Sequence, residues 1–132
     1  LHPKSSYMYK KRKGKLYAGP VWDFDYGTFR SNASGILVTP AMYYRYMFRY
    51  PEFRTAVKER WAEVKDVLAG IDDYILEQAG LISASSDVNI AMWPITQFVN
   101  GDEKMTFAEA VESMRSVLKN RMRIVEDFIL AL

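Results

Sequence analysis

The spacing of apolar residues along the chain changes near residue 40. Before this point Tyr7 and Tyr9 mark every second position of an aromatic-rich segment, which is the period of a β-strand. After it, apolar residues recur every three or four positions, which is the period of an amphipathic α-helix. The pattern predicts an α+β fold that is mostly α. A β-hairpin and an adjoining loop occupy residues 1–39, and a bundle of four or five helices occupies residues 40–132.

The hairpin is expected to turn within residues 10–15, whose sequence is KKRKGK. Gly14 is predicted to supply the positive φ that such a turn requires. Residues 16–22 would form the returning strand. Because Pro20 has no N–H to donate, this strand lies at a sheet edge or begins only at about Val21.

Two helices are predicted between residues 41 and 70. Residues 41–50 form the shorter one. The longer one begins at Pro51 and stops at Gly70, since proline suits a first helical turn and glycine a helix end. The longer helix carries one apolar stripe that should face the core. Its members are Phe53, Val57, Trp61, Val64 and Leu68.

A further helix is predicted from about Asp72, with a break around residues 83–86 and a second helical run after it. The second run is expected to be capped by polar residues, to bring Trp93 into the core, and to kink or end at Pro94. The capping candidates are Ser85, Ser86, Asp87 and Asn89.

The last predicted helix has the clearest start signal. Thr106 and Glu109 form a T-x-x-E capping box, in which each side chain bonds the backbone N–H of the other residue. An apolar stripe then continues to the end of the chain. Its members are Phe107, Val111, Met114, Leu118, Met122, Val125, Ile129 and Leu132.

Composition excludes several kinds of chemistry. The 132 residues are enough for one ordinary domain, and the net charge of +2 does not indicate a strongly acidic or basic partner. The chain has no cysteine, which removes disulfides, thiol nucleophiles and cysteine-bound zinc. His2 is the one histidine, and near the terminus it is expected to lie at the surface rather than in a catalytic site. No apolar run is long enough to span a membrane.

Two aspartates, Asp23 and Asp25, stand among aromatic residues in the stretch WDFDY. If this stretch ends a strand, both carboxylates share one face while Trp22 and Phe24 are buried on the other. Such a pair suits Mg²⁺ or Mn²⁺ together with substrate phosphates, and without a cation the two charges repel. The alternative is an aspartate-rich turn, with one carboxylate accepting backbone N–H bonds and the other solvated.

Basic residues cluster around the predicted hairpin tip and alternate with tyrosines. Such a mixture can bind nucleic acid through phosphate contacts and base stacking. The rest of the chain is not basic, so a solvated surface is the better interpretation and no nucleic-acid partner is expected. The basic residues are Lys4, Lys10, Lys11, Arg12, Lys13 and Lys15.

Several blocks of sequence together resemble the C-terminal portion of the spore-coat protein H (CotH) kinase-like family. The blocks are PKSSYMYK, then GKLYAGPVWDFDYGTF, then YPEFRTAVKERWAEVK, then NIAMWPI, and finally LKNRMRIVEDFI. They run over essentially the whole chain in that order, and GPVWDFD is the most specific of them. The chain also lacks an initial methionine, so we expect it to be a piece of a longer protein.

The resemblance implies the C-lobe of an atypical protein kinase that is secreted or associated with the cell envelope. Such a protein transfers phosphate from ATP to serine residues of proteins and requires Mg²⁺ or Mn²⁺. Carried over to this chain, the metal- and nucleotide-binding residue is Asp23, or Asp25 as a close second because D-Y-G resembles D-F-G.

The resemblance also implies that parts of the kinase lie elsewhere. The catalytic-loop aspartate is expected upstream of Leu1, together with the glycine-rich lid and the phosphate-pairing lysine. Near Ser5 or Ser6 many relatives have asparagine, which is the better metal ligand. The chain alone should therefore be inactive. The alternative is a non-catalytic, pseudokinase-like interaction module of a coat or cell-envelope assembly.

Overall fold

The computed structural model describes residues 7–20, 22, 35–36, 38–94 and 105–132. Within them the chain is mostly helical with an N-terminal two-stranded hairpin, which confirms the coarse fold prediction. The hairpin is followed by one short helix and three long ones. In chain order the elements are β1 (Met8–Lys10), β2 (Leu16–Ala18), α1 (Met42–Met47), α2 (Pro51–Ala69), α3 (Ile71–Met92) and α4 (Phe107–Leu130).

The two strands pair in antiparallel register, with Tyr9 directly opposite Tyr17. The two tyrosine rings stack at a centroid distance of 5.1 Å and an interplanar angle of 13°. Directly opposite aromatic pairs stabilise a strand pair by up to about 1 kcal/mol. The Gly19 N–H extends the pairing by donating to the Tyr7 carbonyl at 2.9 Å.

At the hairpin tip, the residue with the positive φ is not the one that was predicted. The Gly14 N–H donates to the Lys11 carbonyl at 2.8 Å, which closes a four-residue turn. The left-handed position is the third residue of that turn, which is Lys13 with φ 59°. Gly14 matters instead for space, because an added Cβ would lie 3.3 Å from both Cβ and O of Lys11.

The returning strand is shorter than predicted. It ends at Ala18 rather than at residue 22, so the pairing stops before Pro20. The strand ends there because Pro20 has no N–H with which to continue the hydrogen-bond ladder, which is also why proline is rare within sheets.

The helical part is joined by a small aromatic cluster and a few buried side chains. Phe48 follows α1 and contacts Phe53 of α2 edge-to-face at 5.1 Å, and Phe128 of α4 in the same way at 5.6 Å. The predicted apolar stripe of α2 is half-buried along its whole length, Trp61 included. Among the described residues the buried apolar side chains are Ala41, Val117 and Ile129, each between 5% and 7% exposed.

Helix α3 follows α2 after Gly70, which confirms the predicted helix stop. The predicted break at residues 83–86 is wrong, because α3 runs unbroken to Met92 and ends before Pro94. Serine inside a helix costs only a few tenths of a kcal/mol, and no proline or glycine lies in that stretch. The serines, Asp87 and Asn89 are therefore internal to the helix, and Trp93, expected in the core, is 71% exposed.

The predicted capping box is present at the start of α4. The Thr106 hydroxyl accepts a hydrogen bond from the Glu109 N–H at 3.2 Å, and the Thr106 N–H donates to Glu109 Oε2 at 2.7 Å. Both bonds satisfy backbone donors that have no partner within the helix.

We expect Thr106→Ala to lower the free energy of unfolding by about 1 kcal/mol, because it removes this cap. Urea denaturation followed by circular dichroism measures the effect. Ser116→Ala is the matched control, since Ser116 lies at an exposed position inside the same helix. Equal stability losses in the two variants would contradict a capping role for Thr106.

Candidate functional site

The two residues of the predicted metal site, Asp23 and Asp25, lie outside the described residues. Phe24, His2 and the serines at positions 5 and 6 do so as well. The structure describes the segment that leads to the pair, which is the hairpin and then Trp22.

Trp22 does not occupy the buried position predicted for it. Its side chain is 60% exposed. The prediction assumed that the strand continues through this residue, so that one face would hold the tryptophan against a core. Because the strand pairing ends at Ala18, Trp22 is not held on a sheet face.

Chemically, the aspartate pair fits the cation that the resemblance implies. Mg²⁺ and Mn²⁺ take oxygen ligands, and Mg²⁺ is commonly held by one or two carboxylates plus substrate phosphates. Across residues 7–20, 22, 35–36, 38–94 and 105–132, no three acidic or histidine side chains come together to form another such site.

The basic hairpin has the solvated character that its composition favours. Residues 10–13 and 15 are all exposed. The stacked pair Tyr9 and Tyr17 lies on one face of the hairpin, and both rings are close to half exposed. Because the two rings stack on each other, each covers part of the other's apolar surface within the hairpin.

An ion-pair cluster that the sequence did not reveal links α3 to α4. Arg115 of α4 binds Asp72 of α3 through two hydrogen bonds, Nε to Oδ1 at 2.8 Å and Nη2 to Oδ2 at 3.0 Å. Lys119 Nζ lies 3.0 Å from the same Oδ2. Arg115 also reaches Glu112 Oε2 at 2.7 Å. The side chains of Asp72 and Arg115 are each only 18% exposed, so this bidentate pair is more than a surface contact.

The cluster shifts the pKa values of Asp72 and Arg115. The hydrogen bond from Arg115, followed by that from Lys119, lowers the pKa of Asp72 from 3.8 to about 2. The same bond to Asp72 raises the pKa of Arg115. Half of this cluster could be inferred from the sequence, because Arg115 and Lys119 are four positions apart and therefore share a helix face. No feature of the sequence indicated that Asp72 is their partner.

A groove of about 460 Å³ adjoins this cluster between α2 and α4. Four of its lining residues are apolar, three are basic and three are acidic. They are Trp61, Ala69, Leu118 and Met122, then Lys65, Lys119 and Arg123, and Asp66, Asp72 and Glu126. Within the described part of the chain, the buried Trp61 Nε1 has no hydrogen-bond partner.

We expect the Asp72 cluster to make stability depend on pH. The pKa of Asp72 is lower in the folded chain than in the unfolded chain, so ionised Asp72 stabilises the fold. This contribution is complete above about pH 5 and is lost as the pH falls through about 2. Asp72→Asn should therefore lower the urea midpoint at pH 6, and its difference from the wild type should be much smaller at pH 2 and disappear below it.

Asp66→Asn is the control for this prediction, because Asp66 is exposed and has no ion pair with another described residue. It should leave the midpoint nearly unchanged at both pH values. A constant gap between Asp72→Asn and wild type from pH 6 to pH 2 would show that ionisation of Asp72 does not stabilise the fold.

Comparison of the chain with protein-family models, with curated proteins and with solved structures gave no match. Among the described helices, none combines the length and the apolar character needed to cross a membrane.

Proposed function

We propose that this chain is the C-lobe segment of a CotH-like atypical protein kinase. The full-length protein would transfer phosphate from ATP to serine residues of other proteins, with Mg²⁺ or Mn²⁺, outside the cytoplasm or at the cell envelope. The observation that carries the proposal is the block GPVWDFDYG, which stands directly after the β1–β2 hairpin and before the helices.

In this proposal Asp23 and Asp25 supply the charge that holds a divalent cation and, through it, the nucleotide. The cation neutralises phosphate charge, which is most of what phosphoryl transfer requires besides positioning. Asp23 is the favoured ligand and Asp25 the second candidate.

The chain alone is proposed to be inactive. The carboxylate that orients the substrate hydroxyl and the lysine that pairs with phosphate belong to the part expected upstream of Leu1. Any test of activity must therefore use the full-length protein.

The proposal is tested by incubating the full-length protein with γ-labelled ATP and a mixture of serine-bearing proteins. We expect labelled phosphoserine in the presence of Mg²⁺ or Mn²⁺, and none after chelation by EDTA. A protein that binds no ATP with either cation and incorporates no phosphate would contradict the proposal. The pseudokinase-like interaction module of a coat or envelope assembly would then be the better account.

A further inference from the structure

Helix α3 (Ile71–Met92) carries apolar side chains on two different faces. The face towards the bundle is half-buried, and its members are Ile71, Ile75, Ala79 and Ile90. A second set, Tyr74, Leu81, Val88 and Met92, follows steps of seven, seven and four residues, which places it on one other face. We call this second set the α3 outer face.

The α3 outer face is open to solvent. Its four side chains are between 59% and 70% exposed. Gly80, next to Leu81, has no atom within 4 Å of the position that a Cβ would take, so the surface there is clear. Single exposed apolar residues are ordinary, whereas these four recur on one face over five helical turns, at the heptad spacing of a surface that packs against a second helix. The polar Glu77 and Gln78 lie between Tyr74 and Leu81 on the same face.

Charge on this helix is of one sign. Helix α3 has four acidic residues and no lysine or arginine. Within the bundle, Asp72 forms ion pairs with Arg115 and Lys119. Asp73, Glu77 and Asp87 are exposed and form no ion pair with another described residue. The α3 outer face is therefore bordered by acidic side chains that no described residue pairs.

We propose that the α3 outer face binds a cationic amphipathic helix of a protein partner. A stripe with heptad-like steps matches the apolar positions of a second helix laid along it. The negative border selects lysine and arginine beside those apolar positions. It also disfavours a second copy of α3, and it repels anionic lipid. This inference does not depend on phosphate transfer.

The probe for this proposal is a fluorescein-labelled synthetic helix of three heptads, with leucine at the a and d positions and lysine beside them. A second peptide has glutamate in place of every lysine and the same leucines. Fluorescence anisotropy with the full-length protein at low salt measures both affinities. We expect the lysine peptide to bind about tenfold or more tightly than the glutamate peptide.

Variants of the protein locate the binding surface. The double variant Leu81→Gln and Val88→Gln should weaken lysine-peptide binding about tenfold or more, because it removes the centre of the stripe. Val67→Gln is the matched control, since Val67 is 74% exposed but lies on α2. It should leave the affinity unchanged. Circular dichroism should show the same helix content in both, because every replaced side chain faces solvent.

Charge reversal tests the chemistry of the partner separately. Glu77→Lys with Asp87→Lys should reverse the preference, so that the glutamate peptide binds better. Equal binding of both peptides, or equal binding by the wild type and the glutamine double variant, would overturn the proposal. So would a dimer in sedimentation velocity, or binding to phosphatidylglycerol vesicles, that the same double variant abolishes. The occupant would then be a second copy or a membrane surface.

Discussion

Alanine in place of Asp23 is expected to slow phosphate transfer by the full-length protein about a hundredfold or more. The reason is that the proposed cation would lose a carboxylate ligand, and with it the charge that offsets the nucleotide phosphates. The measurement is the initial rate of phosphoserine formation at saturating ATP and Mg²⁺. Asp25→Ala measured beside it decides which of the two aspartates is the main ligand, because the larger loss marks that residue.

Asp87→Ala provides the control for this pair of variants, since it removes an exposed carboxylate from the middle of α3. Its rate should equal that of the wild type. Rates close to wild type for both Asp23→Ala and Asp25→Ala, in a protein that does transfer phosphate, would show that the WDFD block is not the metal site.

Alanine in place of Ile129 is expected to lower the free energy of unfolding by about 2–5 kcal/mol. Ile129 is only 7% exposed and lies near the end of α4, the helix that packs against both α2 and α3. The neighbouring Phe128 ring contacts Phe48, which follows α1. Ordinary domains are stable by only about 5–15 kcal/mol, and few described apolar side chains are buried, so the loss is a large fraction of the total.

Leu130→Ala is the matched control for Ile129→Ala. Leu130 is the next residue along the same helix and is 73% exposed, so its truncation should change stability by no more than about 0.5 kcal/mol. Urea denaturation of both variants measures the difference. Similar midpoints for the two would mean that Ile129 is not part of the core.

The helices that could be predicted are those whose local signals agree with each other. For α4, the capping box and the apolar stripe both point to one helix, and both are present in the structure. For α2, Pro51 and Gly70 mark the ends that the helix has. Local chemistry is sufficient in these cases, because caps and helix-ending residues act on the backbone next to them.

The predictions that were wrong gave too much weight to weak local signals. Serine-rich composition suggested a break at residues 83–86, yet the intrinsic cost of serine in a helix is small and α3 continues through them. Burial of Trp22 required a strand that extends past Pro20, and the ladder ends at Ala18. The positive φ at Lys13 rather than Gly14 depends on turn register, which the glycine position alone does not specify.

Contacts between residues far apart in the sequence could not be predicted for a different reason. Asp72 and Arg115 are 43 residues apart, and a single sequence has no signal that pairs them. The α3 outer face was not predicted either, because a helix with apolar residues on two faces does not show one clear apolar stripe in its sequence. The candidate site at Asp23 and Asp25 stays a prediction, because residue type and spacing give the chemistry of a metal ligand but not its geometry, and both residues lie outside the described part of the chain.

The most direct test of the central claim is the affinity of the full-length protein for Mn²⁺ in the presence of ATP, measured by electron paramagnetic resonance. Wild-type protein is expected to bind Mn²⁺ together with the nucleotide. The double variant Asp23→Asn and Asp25→Asn should bind it about tenfold or more weakly, because neutral amides replace both carboxylates. Equal Mn²⁺ affinity in the wild type and the double variant would contradict the claim that these two aspartates hold the cation.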